Sequence, residues 1–111
     1  MSIMTAWAAI TGSDMIRLYT WSTPNGVKIS IALEELGLDY DVVPVDINKD
    51  EQFAPRFLAI SPNNKIPAIV DGDISLFDSG AILLYLAHKT GKLAPTAGST
   101  EYFRMMQWLM W

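Results

Sequence analysis

The sequence contains no cysteine, and this absence excludes several kinds of chemistry at once. Without a thiol of its own, the chain can form no disulfide framework, no thiolate metal site and no redox dithiol. Any thiol chemistry must therefore use a thiol that is supplied from outside. Histidine is almost as scarce, because His88 stands alone, with no serine or cysteine nearby, and supports no catalytic triad. We interpret it as a solvated surface residue.

Basic clusters and long apolar runs are missing as well. The eight lysines and arginines are scattered from Arg17 to Arg104, and twelve acidic residues give a formal net charge of −4. This pattern argues against nucleic-acid binding and against attachment to a membrane surface. No apolar run approaches the roughly 18 residues of a transmembrane helix, and the apolar stretch 3–10 lacks the basic start of a signal peptide. We expect a soluble, cytoplasmic protein.

Half of the 111 residues are hydrophobic, which predicts one small globular domain, or one domain and part of a second. A Gly-Ser-Asp break precedes Met15, and we predict that residues 1–14 are an appendage. The domain is expected over 15–92 and a linker rich in small residues and proline over 93–100. A further helix is expected over 101–111.

The pattern within 15–92 predicts the order β-α-β-α-β-β-α. A strand begins at Ile16, and Thr23-Pro24 starts a helix that ends near Gly37. A second strand over 40–45 completes a parallel pair, and a short helix is predicted over 51–59. Two strands flanking Asp71-Gly72-Asp73 form a hairpin, and Asp78-Ser79 caps the next helix.

Three strings of residues carry a resemblance to a known family. They are Thr23-Pro24-Asn25-Gly26, the string SPNNKIPA over 61–68, and the string FDSGAI over 77–82. With the element order, they resemble the N-terminal domain of cytosolic glutathione transferases, and most of all the Nu class with its bacterial glutathione-dependent disulfide-bond oxidoreductases. The resemblance implies an α/β, thioredoxin-like fold with a four-stranded mixed sheet. The helix over 101–111 would then begin an incomplete all-α domain.

The start of the first helix is the predicted catalytic site. A thiol with a pKa of about 8.5 is mostly protonated at neutral pH, so a protein that uses glutathione must stabilise the thiolate. Helix N–H groups and the positive end of the helix dipole do this, and Thr23 and Asn25 add a hydroxyl and an amide as donors. From the residues alone, Thr23 as a simple N-cap and Asn25 as a solvated polar residue stay equally open.

The resemblance also implies where glutathione is held. The Ile66-Pro67 bond would be cis and would present the Ile66 backbone to the cysteinyl part of glutathione, although a trans proline at the start of a strand is the alternative. Ser79 and the backbone beside it would bind the γ-glutamyl carboxylate, and Asp78 would pair with the ammonium group. A capping role at the helix start is open for both residues. Family members commonly carry glutamate at the position of Asp78.

Further residues enter the site with less direct support. Gln52 and Lys65 are predicted to reach the glycyl end of glutathione, or else to be solvated, and Asn64 belongs to the same set. Ser22 resembles the serine that other classes use to activate glutathione and is the second candidate for that role. Tyr19 resembles the tyrosine that some transferases use to activate glutathione, but it lies inside the predicted strand, and we therefore predict that it is a core residue.

Three functions are compatible with the resemblance. The first is a reductase in which the thiolate of bound glutathione, as cosubstrate and without a metal, attacks a small-molecule disulfide. The second is a conventional transferase that conjugates glutathione to an electrophile, and the third is a non-catalytic regulatory protein. We expect a homodimer for the full-length protein. For the 111 residues alone we expect weak or no activity.

Overall fold

The structure is a computed structural model that describes residues 15–111, so the predicted appendage 1–14 lies outside the described residues. The elements follow one another in the predicted order. Their bounds are β1 Ile16–Thr20, α1 Pro24–Glu35, β2 Tyr40–Pro44, α2 Pro55–Leu58, β3 Ala68–Asp71, β4 Ile74–Phe77, α3 Ser79–Thr90 and α4 Thr100–Met110. Within residues 15–111, every helix is too short or too polar to cross a bilayer.

Among the described residues, four strands form one mixed sheet in the order β2-β1-β3-β4. β1 runs parallel to β2 and antiparallel to β3, and β3 and β4 form the predicted hairpin. The prediction of an α/β fold with a four-stranded mixed sheet is therefore confirmed.

The sheet is covered on both faces, because adjacent residues of a strand point to opposite sides. Leu18 of β1 belongs to a cluster with Ile29 and Leu33 of α1 and with Ile82 and Leu86 of α3. The next residue, Tyr19, belongs to the other cluster, which contains Phe57 of α2 and is completed by Val43, Val45, Ala68 and Val70. The ring centroids of Tyr19 and Phe57 are 6.1 Å apart. Tyr19 is buried, so the prediction that it is a core residue is confirmed.

The predicted helix over 51–59 is wrong as a single element. The chain forms two 3₁₀ turns, Ile47–Lys49 and Glu51–Phe53, and then the four-residue helix α2. Ala54 breaks the run with an extended ψ of 136°. The reason is Pro55, because a proline ring disfavours helical backbone in the residue before it.

Helix α4 rests on the domain through one side only. Ser99 caps it by accepting a hydrogen bond from Tyr102 N. Met105 and Leu109 line an apolar cavity of about 190 Å³ together with side chains of α1 and α3. The opposite side exposes large apolar residues, namely Phe103, Trp108 and Met110.

Candidate functional site

The first part of the site is the start of α1. Thr23 is the N-cap, and its Oγ1 accepts a hydrogen bond of 3.2 Å from Gly26 N. Pro24 follows as the first helical residue, where its missing N–H costs nothing. Because Oγ1 acts as an acceptor here, the hydroxyl proton of Thr23 is free to be donated to another group. The capping role is thus present, and it leaves the predicted donor role possible.

Asn25 sits in the first turn of α1 with its side chain exposed. Lys28 Nζ donates a 3.1 Å hydrogen bond to its Oδ1. An ammonium group has no acceptor, so the amide must turn its carbonyl oxygen toward Lys28 and its NH₂ group away. The NH₂ group therefore points away from Lys28 and is available as a donor in the first turn of the helix. The first turn contains no acidic residue that would offset this positive end.

Gly26 explains how α1 approaches the end of β1 so closely. A Cβ at this position would lie 2.5 Å from the carbonyl oxygen of Trp21, and closer still to Oγ1 of Thr20. No side chain larger than that of glycine fits there. The sequence signal was available, since a glycine in the first turn of a helix has a poor helix propensity and needs a packing reason.

The second part of the site is the loop 61–67. Asn64 has a left-handed backbone with φ +52°, and its N–H donates to Ser61 O at 3.0 Å. The Ile66-Pro67 peptide bond is cis, as the resemblance implied. Among the described residues, no backbone hydrogen bond involves Ile66, so its N–H and C=O can pair with an extended peptide.

The third part is the start of α3. Asp78 is the N-cap, and its Oδ2 accepts a 3.1 Å hydrogen bond from Ala81 N. Ser79 is the first residue inside the helix, so the capping role predicted for the pair belongs to Asp78 alone. The backbone of Asp78, with φ 76° and ψ 122°, lies outside the regions that residues other than glycine commonly adopt. Backbone strain of this kind concentrates at functional sites.

The register of the sheet brings these three parts to one edge. Tyr19 near the end of β1 pairs with Ala68, and Ala68 pairs with Phe77 at the end of β4. Pro67 precedes Ala68, Asp78 follows Phe77, and the chain leaves β1 toward α1 at the same end. The start of α1, the Ile66-Pro67 bond and the start of α3 therefore lie along one edge of neighbouring strands.

Residues 15–88 match the family model described as the glutathione S-transferase N-terminal domain. The chain belongs to this family.

The relatives of this glutathione S-transferase domain are close. The chain is 55% identical over 104 residues to the disulfide-bond oxidoreductase YfcG of Escherichia coli, an alignment that covers 87% of this chain and 48% of the relative. A glutathione transferase family member from Pseudomonas fluorescens, solved with two glutathione molecules, is 46% identical with a TM-score of 0.88 over 97% of this chain and 49% of the other. One from Pseudomonas putida, solved with glutathione disulfide, is 44% identical with a TM-score of 0.86 over the same shares. The chain thus spans about half the length of these relatives.

Gln52 of this glutathione S-transferase domain has a buried polar atom without a partner in residues 15–111. Its Oε1 is buried, and among the described residues no hydrogen-bond partner reaches it. A buried acceptor without a donor is costly and needs an explanation. The contact of Gln52 with glutathione stays a prediction, whereas the open backbone of Ile66 fits the cysteinyl part of glutathione. Lys65 is exposed.

The two other candidates for activating the thiol have different surroundings. Burial raises the pKa of Tyr19, and the nearby Arg17 opposes this shift only in part. Its phenol therefore stays protonated at neutral pH. Ser22 is exposed and lines an open cavity of about 300 Å³ between α1 and β2. Within residues 15–111, no group of three metal-ligating side chains occurs.

The sequence interpretation missed one residue of this region. Ser61 is completely buried and forms hydrogen bonds inside the loop that carries Asn64 and Lys65. The available signal was its position before Pro62, because a serine that precedes a proline often begins a turn.

Proposed function

We propose that this chain is the glutathione-binding part of a glutathione-dependent disulfide-bond reductase of the Nu class. Glutathione lies along the edge formed by the start of α1, the Ile66-Pro67 bond and the start of α3. The γ-glutamyl carboxylate takes the N–H groups and hydroxyl at Ser79, and the cysteinyl backbone pairs with Ile66. Gln52, Asn64 and Lys65 hold the rest of the peptide.

The observation that carries the proposal is the orientation of Asn25. Its NH₂ group points away from Lys28 in the first turn of α1, and the hydroxyl of the N-cap Thr23 keeps its proton for donation. Two neutral donors and a helix N-terminus stabilise a thiolate without being able to attack a substrate themselves. These 111 residues supply no thiol of their own, and we assign the role of nucleophile to the sulfur of the ligand.

The reaction needs two glutathione molecules. The bound thiolate attacks one sulfur of a disulfide RSSR, so that an S–S bond to glutathione forms and RS⁻ leaves. A second glutathione thiolate then attacks the mixed disulfide, giving glutathione disulfide and another RS⁻. In total two thiols are oxidised and one disulfide is reduced. The Pseudomonas relatives were solved with two glutathione molecules and with glutathione disulfide, which are the two thiols consumed and the disulfide formed in this sequence.

Two assays on the 111-residue chain test the proposal. NMR titration with glutathione detects even weak binding and identifies the amides that move; we expect those of Thr23, Asn25 and Gly26 and those of 65–66 and 79–81. Ultraviolet absorbance of the bound thiolate against pH then gives the thiol pKa, which should fall below that of free glutathione. Absence of binding at millimolar glutathione would reject the site.

A third assay distinguishes reduction from conjugation. Because weak or no activity is expected of the 111 residues alone, the full-length natural protein is supplied with saturating glutathione and with either a small mixed disulfide or a halonitrobenzene, both followed by absorbance. We expect faster turnover of the disulfide than of the halonitrobenzene. Conjugation without reduction would assign the chain to the conventional transferases, and binding without either reaction would favour a regulatory protein.

The proposal includes the assembly and the compartment. The reaction consumes reduced glutathione, which the cytosolic pool supplies, so we place the protein in the cytoplasm. A homodimer is the proposed assembly, since most soluble oligomers are closed symmetric pairs. Sedimentation and fractionation of the natural protein check both points.

A further inference from the structure

Ser61 is a completely buried polar side chain outside the set of groups assigned to glutathione. Its Oγ donates a 2.8 Å hydrogen bond to Lys65 O and accepts one of 3.4 Å from Lys65 N. One hydroxyl thus closes the five-residue loop 61–65 from the inside. A serine hydroxyl that bonds to nearby backbone groups fixes a local loop conformation in the absence of helix or sheet hydrogen bonds.

The same residue is anchored to the core on its other side. Ser61 N donates a 2.8 Å hydrogen bond to Phe57 O, and the Phe57 side chain is fully buried in the cluster under the sheet. A continuous path therefore leads from Phe57 through Ser61 to Lys65. Lys65 is followed directly by Ile66, whose backbone groups face the proposed ligand.

We infer that Ser61 is a positioning residue for glutathione, which acts by fixing the direction of the Lys65-Ile66 backbone. This inference rests on the proposed function, because it needs Ile66 to pair with the ligand. Ser61 itself touches no substrate. Its hydroxyl orients the peptide-binding edge, while Thr23 and Asn25 act on the sulfur from a different element.

This division of roles gives a signature that a merely structural residue lacks. Loss of the Ser61 hydroxyl should weaken the binding of glutathione and leave the thiol pKa of the bound molecule unchanged. General loosening of the fold would disturb the start of α1 as well and would move both quantities together. The pair of measurements therefore distinguishes positioning from support.

The experiment uses one truncation and one isosteric pair. Ser61→Ala removes the hydroxyl, and Ser61→Thr and Ser61→Val add the same bulk with and without a hydroxyl. We expect Ser61→Ala to raise the Kd for glutathione about 5- to 30-fold, and Ser61→Val to bind more weakly than Ser61→Thr by a similar factor. Ser75→Ala, an exposed serine on β4, is the matched control and should bind like the unchanged chain.

Amide exchange in the ligand-free chain supplies an independent readout. The amide of Lys65 should exchange faster in Ser61→Ala, while the amide of Gly26 at the start of α1 should not change. Equal Kd values for the Thr and Val variants, or for Ser61→Ala and the unchanged chain, would overturn the inference while the proposed function stands. Failure of the unchanged chain to bind glutathione would overturn both.

Discussion

Lys28 donates a hydrogen bond to the carbonyl oxygen of Asn25 one helical turn earlier and thereby turns the NH₂ end of the Asn25 amide away from itself. Lys28 lies in the second turn of α1, where its charge adds to the positive potential that the helix dipole places at this end. The position of Lys28 is explained if its positive charge and the NH₂ group of Asn25 stabilise a bound anion. A thiolate is such an anion.

Replacing Asn25 by alanine should therefore lower turnover more than it weakens glutathione binding. The lost donor acts on the thiolate, whereas the peptide is held elsewhere, so we expect a cost of about 1.5–3 kcal/mol, or roughly one to two decades in rate. Steady-state rates at saturating glutathione and the Kd from titration measure the two effects separately.

Two comparisons sharpen this test. Thr23→Ala should lower the rate and also the stability, by about 1 kcal/mol, because it removes the N-cap. Lys28→Arg should keep most of the activity, because arginine can still donate to Oδ1 of Asn25. If Ser22→Ala abolished activity and Asn25→Ala did not, the activating role would pass to Ser22.

Gly26→Ala should disrupt both stability and binding. The added methyl group would lie 2.5 Å from the carbonyl oxygen of Trp21, and backbone cannot move away as a flexible side chain does. We expect a loss of about 2–3 kcal/mol in the free energy of unfolding, measured by denaturant titration.

A matched glycine variant controls for the change of residue type. Gly72→Ala, in the hairpin turn with φ +59° and open space around it, should cost only about 1 kcal/mol from the left-handed backbone. Equal losses for the two variants would contradict the steric explanation.

The Asp71 carboxylate should make stability depend on pH at both ends of the scale. It accepts hydrogen bonds from Tyr85 at 2.5 Å and from Lys89 at 2.6 Å, which tie the hairpin to α3. Burial alone would raise the pKa of Asp71, but these two donors lower it below its usual value. Burial and the bond to Asp71 raise the pKa of Tyr85 to about 12.

The sign of the effect differs for the two groups. The contribution of Asp71 is present above its ordinary pKa and is lost as the pH falls below about 4. The contribution of Tyr85 is complete below about pH 10 and is lost as the pH rises toward about 12. Asp71→Asn should cost about 1–3 kcal/mol near neutral pH and should remove its share of the acid dependence. Denaturant titrations from acid to alkaline pH check this, with Asp73→Asn on the exposed turn as the control.

The exposed side of α4 should make the isolated chain self-associate. Trp108 and Trp111 are 68% and 95% exposed and contact each other edge to face at 6.0 Å. Apolar patches of several hundred Å² on a protein surface favour association. Sedimentation at micromolar concentration should show oligomers.

Trp108→Gln combined with Met110→Gln should shift the chain toward monomer, and Glu101→Gln, on the same helix, should have no effect. A monomer at all concentrations would contradict the prediction.

The residues that start and stop elements could be predicted from the sequence. Thr23-Pro24, the Asp-Gly turn after β3 and Asp78 act through local hydrogen bonds and dihedral preferences, which the neighbouring residues fix. The breakdown of 47–58 into 3₁₀ turns and a short helix was missed, although Pro55 gave the signal. The role of Ser61 was missed because the sequence does not show whether a serine hydroxyl is buried or exposed until the conformation of the loop is known. The orientation of Asn25 likewise depends on where Lys28 reaches.

The covering of the sheet has a consequence for motion. One face is covered by two twelve-residue helices, whereas the other is covered by a four-residue helix whose buried residue is Phe57. We therefore expect the segment from the end of β2 to Ser61 to open locally at a lower free energy than α1 and α3 do. A ligand that binds the loop after Ser61 should also keep this segment closed. Binding should therefore slow amide exchange in the segment, although its amides lie far from the ligand.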